Sequence, residues 1–322
     1  MQEKKKILIT GGLGYVGGRI VKALLDTGEF IIYIATRKNT IEGFFEKNEL
    51  LKIINSKEVF SFDHSFEHTF ECIIHLAAFN EIDCVKHPVE AAEFNIISSL
   101  ILLQKAIQSK SKHFIYFSTA HVYGSPLQGK IDENVLPRPV HPYSITHKAF
   151  EDYLLAARDK NEINGIVFRL SNSFGVPINK DVNRWTLLIN DLCKQAALGN
   201  QLKLNSSGLQ QRDFITLTDV VNAVLFIINL NKEETKDGLF NLGGNYTKSI
   251  IEITNLVSER AQIILKKEMQ IVLPAIKETP TENLKPLQFS SEKLKSIGFK
   301  WTNDINEEID HLLVFCNEQF TI

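Results

Sequence analysis

The chain has little that would tie it to a membrane, to nucleic acid or to an oxidising compartment. No window is a long uninterrupted apolar run, so no membrane span is expected. Its charges nearly cancel, with 36 basic against 38 acidic residues. That balance argues against a broad cationic surface for nucleic acid, but small anionic ligands need only local charge. Cysteine is sparse: Cys72, Cys84, Cys193 and Cys316 are scattered and form no C-x-x-C pair. The pattern predicts free thiols in a reducing cytoplasm. The first residues, Met1 to Lys6, are charged and run straight into an apolar segment, which is not the layout of a signal peptide. His64 and His68 share i, i+4 spacing but lack the H-E-x-x-H pattern and a third ligand, so no metal site is expected. Internal repeats and low-complexity tracts are missing as well.

What the chain has is alternation. Apolar runs at Ile7–Ile9, Ile31–Ala35, Cys72–Leu76, Phe114–Phe117 and Gly165–Arg169 read as buried strands. Helical patterns lie between them, among them Gly17–Thr27 and Val89–Ser109. Strands alternating with helices imply right-handed βαβ units and a doubly wound parallel sheet of the Rossmann type, α/β in class. Asn95–Ile107 is apolar on more than one face, which predicts burial against the sheet and against a second surface, either another subunit or the rest of the same chain. From Asn172 onward Asn, Gly and Pro interrupt the pattern. A Rossmann-like stretch returns at Phe214–Asn229 and Leu239–Leu242, and Ser249–Leu265 and Lys293–Cys316 read as a smaller lobe. The expected division is a nucleotide-binding domain over 1–171, rejoined by about 209–244, with 172–208 and 245–322 forming a mixed α/β substrate lobe.

The first strand runs into Thr10-Gly11-Gly12-Leu13-Gly14-Tyr15-Val16-Gly17. Gly11 permits a tight turn, Gly14 lets a pyrophosphate approach the backbone, and Gly17 lets helix pack on strand. The helix start, with Tyr15 and Val16, offers free N–H groups to phosphate. The second strand ends Ala35-Thr36-Arg37-Lys38, without the carboxylate that accepts from a ribose hydroxyl. Arg37 is instead available to a 2′-phosphate, or is a solvated loop cation. The reading favours NADP(H) and leaves NAD(H) open. Asp63, read as the end of the next strand, is a candidate partner for the adenine amino group.

Taken in order, these segments resemble the extended short-chain dehydrogenase/reductase family of nucleotide-sugar epimerases, dehydratases and reductases. His75-Leu76-Ala77-Ala78 is similar to its fourth-strand motif along the cofactor, and Asn95 to the Asn of its next helix. Phe117-Ser118-Thr119-Ala120-His121-Val122-Tyr123-Gly124 resembles the strand that ends in a catalytic hydroxyl, here Thr119. Pro142-Tyr143 resembles the start of the active-site helix, with Tyr143 as catalytic tyrosine. Arg169-Leu170-Ser171-Asn172-Ser173-Phe174-Gly175, Gln211-Arg212-Asp213-Phe214-Ile215 and Phe240-Asn241-Leu242-Gly243 match further motifs. The resemblance implies a nucleotide-sugar substrate whose diphosphate meets Asn172 and Arg212. The expected assembly is a homodimer through helices around 89–109 and 147–158.

Two departures stand out. The family's Y-x-x-x-K places a lysine four residues after the tyrosine, but this chain has His147, followed by Lys148. Positions 143 and 147 share a helix face and 148 does not, so His147 is the better placed to hold a nicotinamide ribose. Either His147 replaces the lysine or the site is weakened. Thr279-Pro280-Thr281-Glu282-Asn283 stands where many relatives carry a phosphate-binding Arg. A 4,6-dehydratase would show an Asp-Glu pair after the catalytic Thr, but Ala120 and His121 follow here. His121 and His141 flank the site segments, as substrate contacts or as structural loop residues. Asp132 and Glu133 read as loop charges. The expected activity is 4-keto nucleotide-sugar reduction, with a 4-epimerase that retains NAD as the alternative. A non-catalytic nucleotide sensor is a third reading.

Overall fold

Three consecutive apolar residues, Ile7, Leu8 and Ile9, are wholly buried in the first strand, β1 (Lys5–Thr10). A strand buried on both faces must sit inside a sheet covered on both sides. The computed structural model, which describes residues 4–63, 66, 69–275, 285–302 and 304–321, places β1 in the interior of a sheet of seven parallel strands. The others are β2 (Phe30–Thr36), β3 (Leu51–Asn55), β4 (Cys72–His75), β5 (His113–Thr119), β6 (Asn164–Leu170) and β7 (Leu239–Leu242). Their order is β7-β6-β5-β4-β1-β2-β3, all parallel. The order reverses between β1 and β4, so their carboxyl ends open a crevice. No helix among the described residues is long and apolar enough to cross a membrane.

The five expected strands are present. β3 escaped the periodicity because it is a short edge strand with only Leu51 well buried. Phe62-Asp63 is a turn after the helix Ser56–Phe60 and does not end a strand; Phe62 is 72% exposed, which no core strand would allow. The expected helix Val89–Ser109 is broken into Pro88–Ala92, a π-helical turn Glu93–Ser98 and Ser99–Gln108. The extra residue per turn leaves Asn95 buried facing the interior. Ile101, Leu102, Leu103 and Ala106 are wrapped within the chain, while Ile97 is exposed.

The return to the Rossmann core divides in two. Leu239–Leu242 joins the main sheet, but Gln211–Thr216 pairs with Asn172–Phe174 and Thr247–Ser249 in a separate three-stranded sheet. The helix after it, Leu217–Ile227, packs on the helix Tyr15–Thr27. A second apolar core lies among the helices Leu188–Leu198, Ile250–Leu265 and Ile305–Phe320.

One helix, Pro142–Asp159, lies along β5 and β6. Its Glu151 is completely buried and pairs with Arg169 of β6, Nη2 to Oε2 at 2.7 Å. Arg169 Nε also donates to both carboxylate oxygens, and Ser118 of β5 donates its hydroxyl to Oε1. The guanidinium stacks over Tyr123 at 4.7 Å. A buried carboxylate so surrounded costs little as a pair and much when halved. Glu151→Ala, which strands Arg169, is expected to lower unfolding stability by about 3–5 kcal/mol. Denaturant melts of parent and variant measure this; a loss below about 1 kcal/mol would show that the pair does not hold the helix on the sheet.

Candidate functional site

The crevice begins at the glycine turn. Gly11 has φ +74°, and a Cβ there would lie 3.0 Å from the Ala77 nitrogen. At Gly17 a Cβ would lie 2.2 Å from the Gly11 carbonyl oxygen. The helix N-cap is Gly14, with no side-chain cap and no acid in the first turn. The N–H groups of Tyr15, Val16 and Gly17 therefore lack helical acceptors, and the helix dipole favours an anion in front of them. The Tyr15 side chain points elsewhere: its hydroxyl donates to the Gly175 carbonyl at 3.0 Å and lies 3.2 Å from Asn190 Oδ1. Tyr15 thus offers a phosphate only its backbone. The far side of the turn is pinned by Thr10, whose Oγ1 accepts from the N–H groups of Leu76 and Ala77 at 3.3 and 3.2 Å. Ala78 follows directly, so 76–78 runs beside the glycines.

At the end of β2, Lys38 is held by its backbone to Thr36 and by its ammonium over the Phe44 ring at 4.4 Å. Arg37 between them is exposed. Asp63 is also exposed, and its backbone N–H and carboxylate are engaged by the Ser61 hydroxyl. The contact proposed for it thus comes from a turn rather than from a strand end.

On the other side of the crevice, β5 delivers Thr119 and the helix Pro142–Asp159 delivers Tyr143. Thr119 is buried, and its Oγ1 accepts from the His121 N–H at 3.2 Å, which leaves its own proton free to donate. His141 caps the helix by accepting the Tyr143 N–H on Nδ1 at 3.2 Å. The rings of Tyr143 and His147 meet edge to face, 4.3 Å between centroids. His147 Nδ1 lies 2.5 Å from the Tyr116 hydroxyl, and its Nε2 is buried without a hydrogen-bond partner among the described residues. Burial brings the His147 pKa down to about 3, so the imidazole is neutral. Burial, then Glu81, push the Tyr143 phenol up, with Arg184 opposing. Lys148 faces away, in an ion pair with Asp152.

The candidate substrate contacts form the rim. His121 keeps part of its surface open to solvent, and desolvation by the surrounding protein, then nearby Arg212, lower its pKa, with Glu81 opposing. Arg212 Nη2 donates to Gln210 Oε1 at 3.2 Å. Asn172 donates its amide to the Asp213 carbonyl at 2.9 Å, keeping Oδ1 for another partner. Asp213 accepts from Ser171, Gly244 and Tyr246, and burial raises its pKa to about 6. Glu133 is no idle loop charge: it accepts the Asn241 N–H at 2.8 Å. His64, His68 and the stretch from Thr279 to Asn283 lie outside the described residues.

The sequence reading missed Tyr116, Glu81 and Arg184. Glu81 and Arg184 pair at 3.6 Å from segments a hundred residues apart, and no local pattern joins them. Tyr116 was findable. Tyr116 and Ser118 share a strand face, and His147 and Glu151 share a helix face. The two pairs meet in register.

Comparison with known proteins settles the family. The model described as NAD dependent epimerase/dehydratase family matches residues 7–243. The chain belongs to that family. It is 24% identical to human dTDP-D-glucose 4,6-dehydratase over 95% of this chain and 89% of the relative. It is 28% identical to UDP-glucose 4-epimerase of Halalkalibacterium halodurans over 78% and 80%. The fold is similar to that of Thermotoga maritima UDP-glucose 4-epimerase, solved with UDP-glucose, with TM-score 0.78, 22% identity and 97% and 99% coverage. Other solved structures of similar fold carry NAD or NADPH.

The residues fit a nicotinamide dinucleotide: a glycine cradle that a Cβ would fill, an uncapped helix start, and an orphaned buried imidazole nitrogen one turn from Tyr143. His147→Ala is expected to cut turnover at least tenfold, whereas Lys148→Ala, which breaks only a pair with Asp152, is expected to change it less than about threefold. Steady-state kinetics of both variants decide it, and a larger effect at Lys148 would reverse the assignment.

Proposed function

We propose that this enzyme reduces the 4-keto group of a nucleoside-diphosphate sugar with NADPH. The observation that carries the reading is the end of β2, where Thr36 replaces a carboxylate and Arg37 is exposed while Lys38 is committed to Phe44. An acid there would repel a 2′-phosphate, whereas a free guanidinium attracts one. A cofactor that carries reducing equivalents must exchange between turnovers, which suits a reductase. When bound, the nicotinamide supplies the hydride. Tyr143 gives its proton to the sugar oxygen, Thr119 donates a hydrogen bond to the same oxygen, and His147 holds the cofactor ribose. The N–H groups of Tyr15, Val16 and Gly17 face the pyrophosphate. Asn172 and Arg212 hold the substrate diphosphate, His121 meets the sugar, and the C-terminal lobe closes the pocket.

The curated relatives named as UDP-glucose 4-epimerases favour a second reading, a 4-epimerase with retained NAD. Dehydration is disfavoured, because Ala120, which is buried, and His121, which is exposed, follow Thr119 in place of an acid pair. Purified protein with NADPH and a 4-keto-6-deoxy nucleotide sugar is expected to consume the reduced-nicotinamide absorbance. Arg37→Ala is expected to weaken NADPH about 10- to 100-fold while leaving NADH unchanged. Interconversion of sugar epimers without added cofactor would establish the epimerase and reject the reductase. Cofactor binding without any turnover would indicate a sensor.

Ile82, Val85, Val89, Ile97, Ile145 and Tyr153 are each about half exposed or more. They sit on helices that pack against one another around Pro142–Asp159. Large apolar side chains gathered this way suit a partner surface, and the proposed partner is a second copy of the chain. Sedimentation is expected to give a dimer, and Val89→Glu with Ile97→Glu a monomer. A monomeric parent at micromolar concentration would refute the pairing.

A further inference from the structure

We propose that Tyr116 is a positioning residue: it holds His147 as a neutral imidazole with its proton on Nε2, so that no cation stands one helical turn from Tyr143, which acts as a proton donor. The inference deepens the reductase reading and rests on it for the direction of the chemistry.

A tyrosine hydroxyl always carries a proton to donate. The Tyr116 side chain is buried, and among the described residues its hydroxyl has one partner, His147 Nδ1 at 2.5 Å. If Nδ1 carried the imidazole proton, the Tyr116 proton would have no acceptor. The pair is satisfied only when Tyr116 donates and Nδ1 accepts, which places the imidazole proton on Nε2. Nε2–H is then a single buried donor with no acceptor of its own. It requires an oxygen from outside the chain, and a ribose hydroxyl of the cofactor is such an oxygen.

The surroundings keep the ring neutral. Tyr116 is stacked between two imidazoles, 5.6 Å from His147 and 5.6 Å from His75. The His75 ring nitrogens are taken by Thr10 and Ser99, and burial brings the His75 pKa down to about 3. The groups facing Tyr143 can be named from each packed element. The helix Glu81–Lys86 presents Glu81 and Cys84, and the loop before Leu188 presents Arg184, which is paired with Glu81. Its own helix presents His147, while Lys148 is turned to Asp152. Among the described residues Arg184 is thus the cation that acts on Tyr143, and its partner Glu81 acts against it.

A tyrosine in that setting keeps its proton. In reduction the carbonyl carbon gains a hydride from the reduced nicotinamide, the oxygen gains the Tyr143 proton, and the phenolate left behind is reprotonated from solvent. The opposite direction needs a phenolate at the start, which a lysine ammonium at position 147 would stabilise and a neutral His147 does not.

Three measurements, all made without sugar, test this. In protein labelled with ring ¹⁵N-histidine, His147 is expected to show a protonated Nε2 and an unprotonated Nδ1; the reverse would overturn the proposal. Tyr116→Phe is expected to mix the two forms and to weaken reduced-cofactor binding about 3- to 10-fold, the value of one hydrogen bond. An unchanged tautomer and affinity would overturn it. Tyr143 ionisation is followed as tyrosinate absorbance, with Tyr143→Phe as blank. It is expected above about pH 10 in the parent and at least about one unit lower in His147→Lys. Ionisation below about pH 8 in the parent would overturn it. Because no substrate is used, these results stand or fall separately from the reductase assay.

Discussion

The site depends on how one helix is fastened to one strand. Along β5, Tyr116 and Ser118 point to the same side. Along Pro142–Asp159, His147 and Glu151 point back, and the two pairs meet. The strand spacing of two residues and the helix spacing of four are both near 6 Å, so the hydrogen bonds can form together. Phe150 fills the gap, 4.7 Å from Tyr116, and Arg169 closes the lower end on Glu151. A shift of the helix by one residue would break both contacts at once. Tyr143, one turn before His147, is therefore placed by the buried contacts of His147 and Glu151.

Low polarity decides the charge states in this region. His75, His113 and His147 are all buried, and burial pulls each well below the ordinary imidazole range. The Tyr116 and Tyr143 phenols are pushed the other way by the same cause. The buried ion pair of Glu151 with Arg169 has a hydrogen bond from Ser118 and a ring face from Tyr123 to offset its desolvation.

The helix after the glycine turn also ties the parallel sheet to the second apolar core. Tyr15 leaves the glycine loop to bond Gly175 and Asn190, and Arg19, one turn on, reaches Val176, Thr218 and Glu308. Gly175 has φ +144°, and a Cβ there would lie 2.0 Å from a Glu308 oxygen. The helix that opens at the glycine turn is thus bound through its next turn to the loop after Phe174 and to the helix Ile305–Phe320.

The amino-acid sequence determined what depends on short-range order. Strand and helix periodicities, the glycine spacing from Gly11 to Gly17, and the one-turn relation of Tyr143 to His147 all reside in a few neighbouring residues. So did the missing acid at Thr36. What tertiary structure decided were relations between distant segments and the environment of each group. Asp63 read as a strand end because Phe62 is apolar, but exposure of Phe62 puts it in a turn. The π-helical turn that turns Asn95 inward depends on its bonds to Phe79 and Thr146, which belong to other elements. That His147 is neutral, and which nitrogen it offers, follows from burial and from Tyr116, thirty-one residues away. A titratable group carries its type in the sequence, but its charge is set by the dielectric and partners that folding assembles around it.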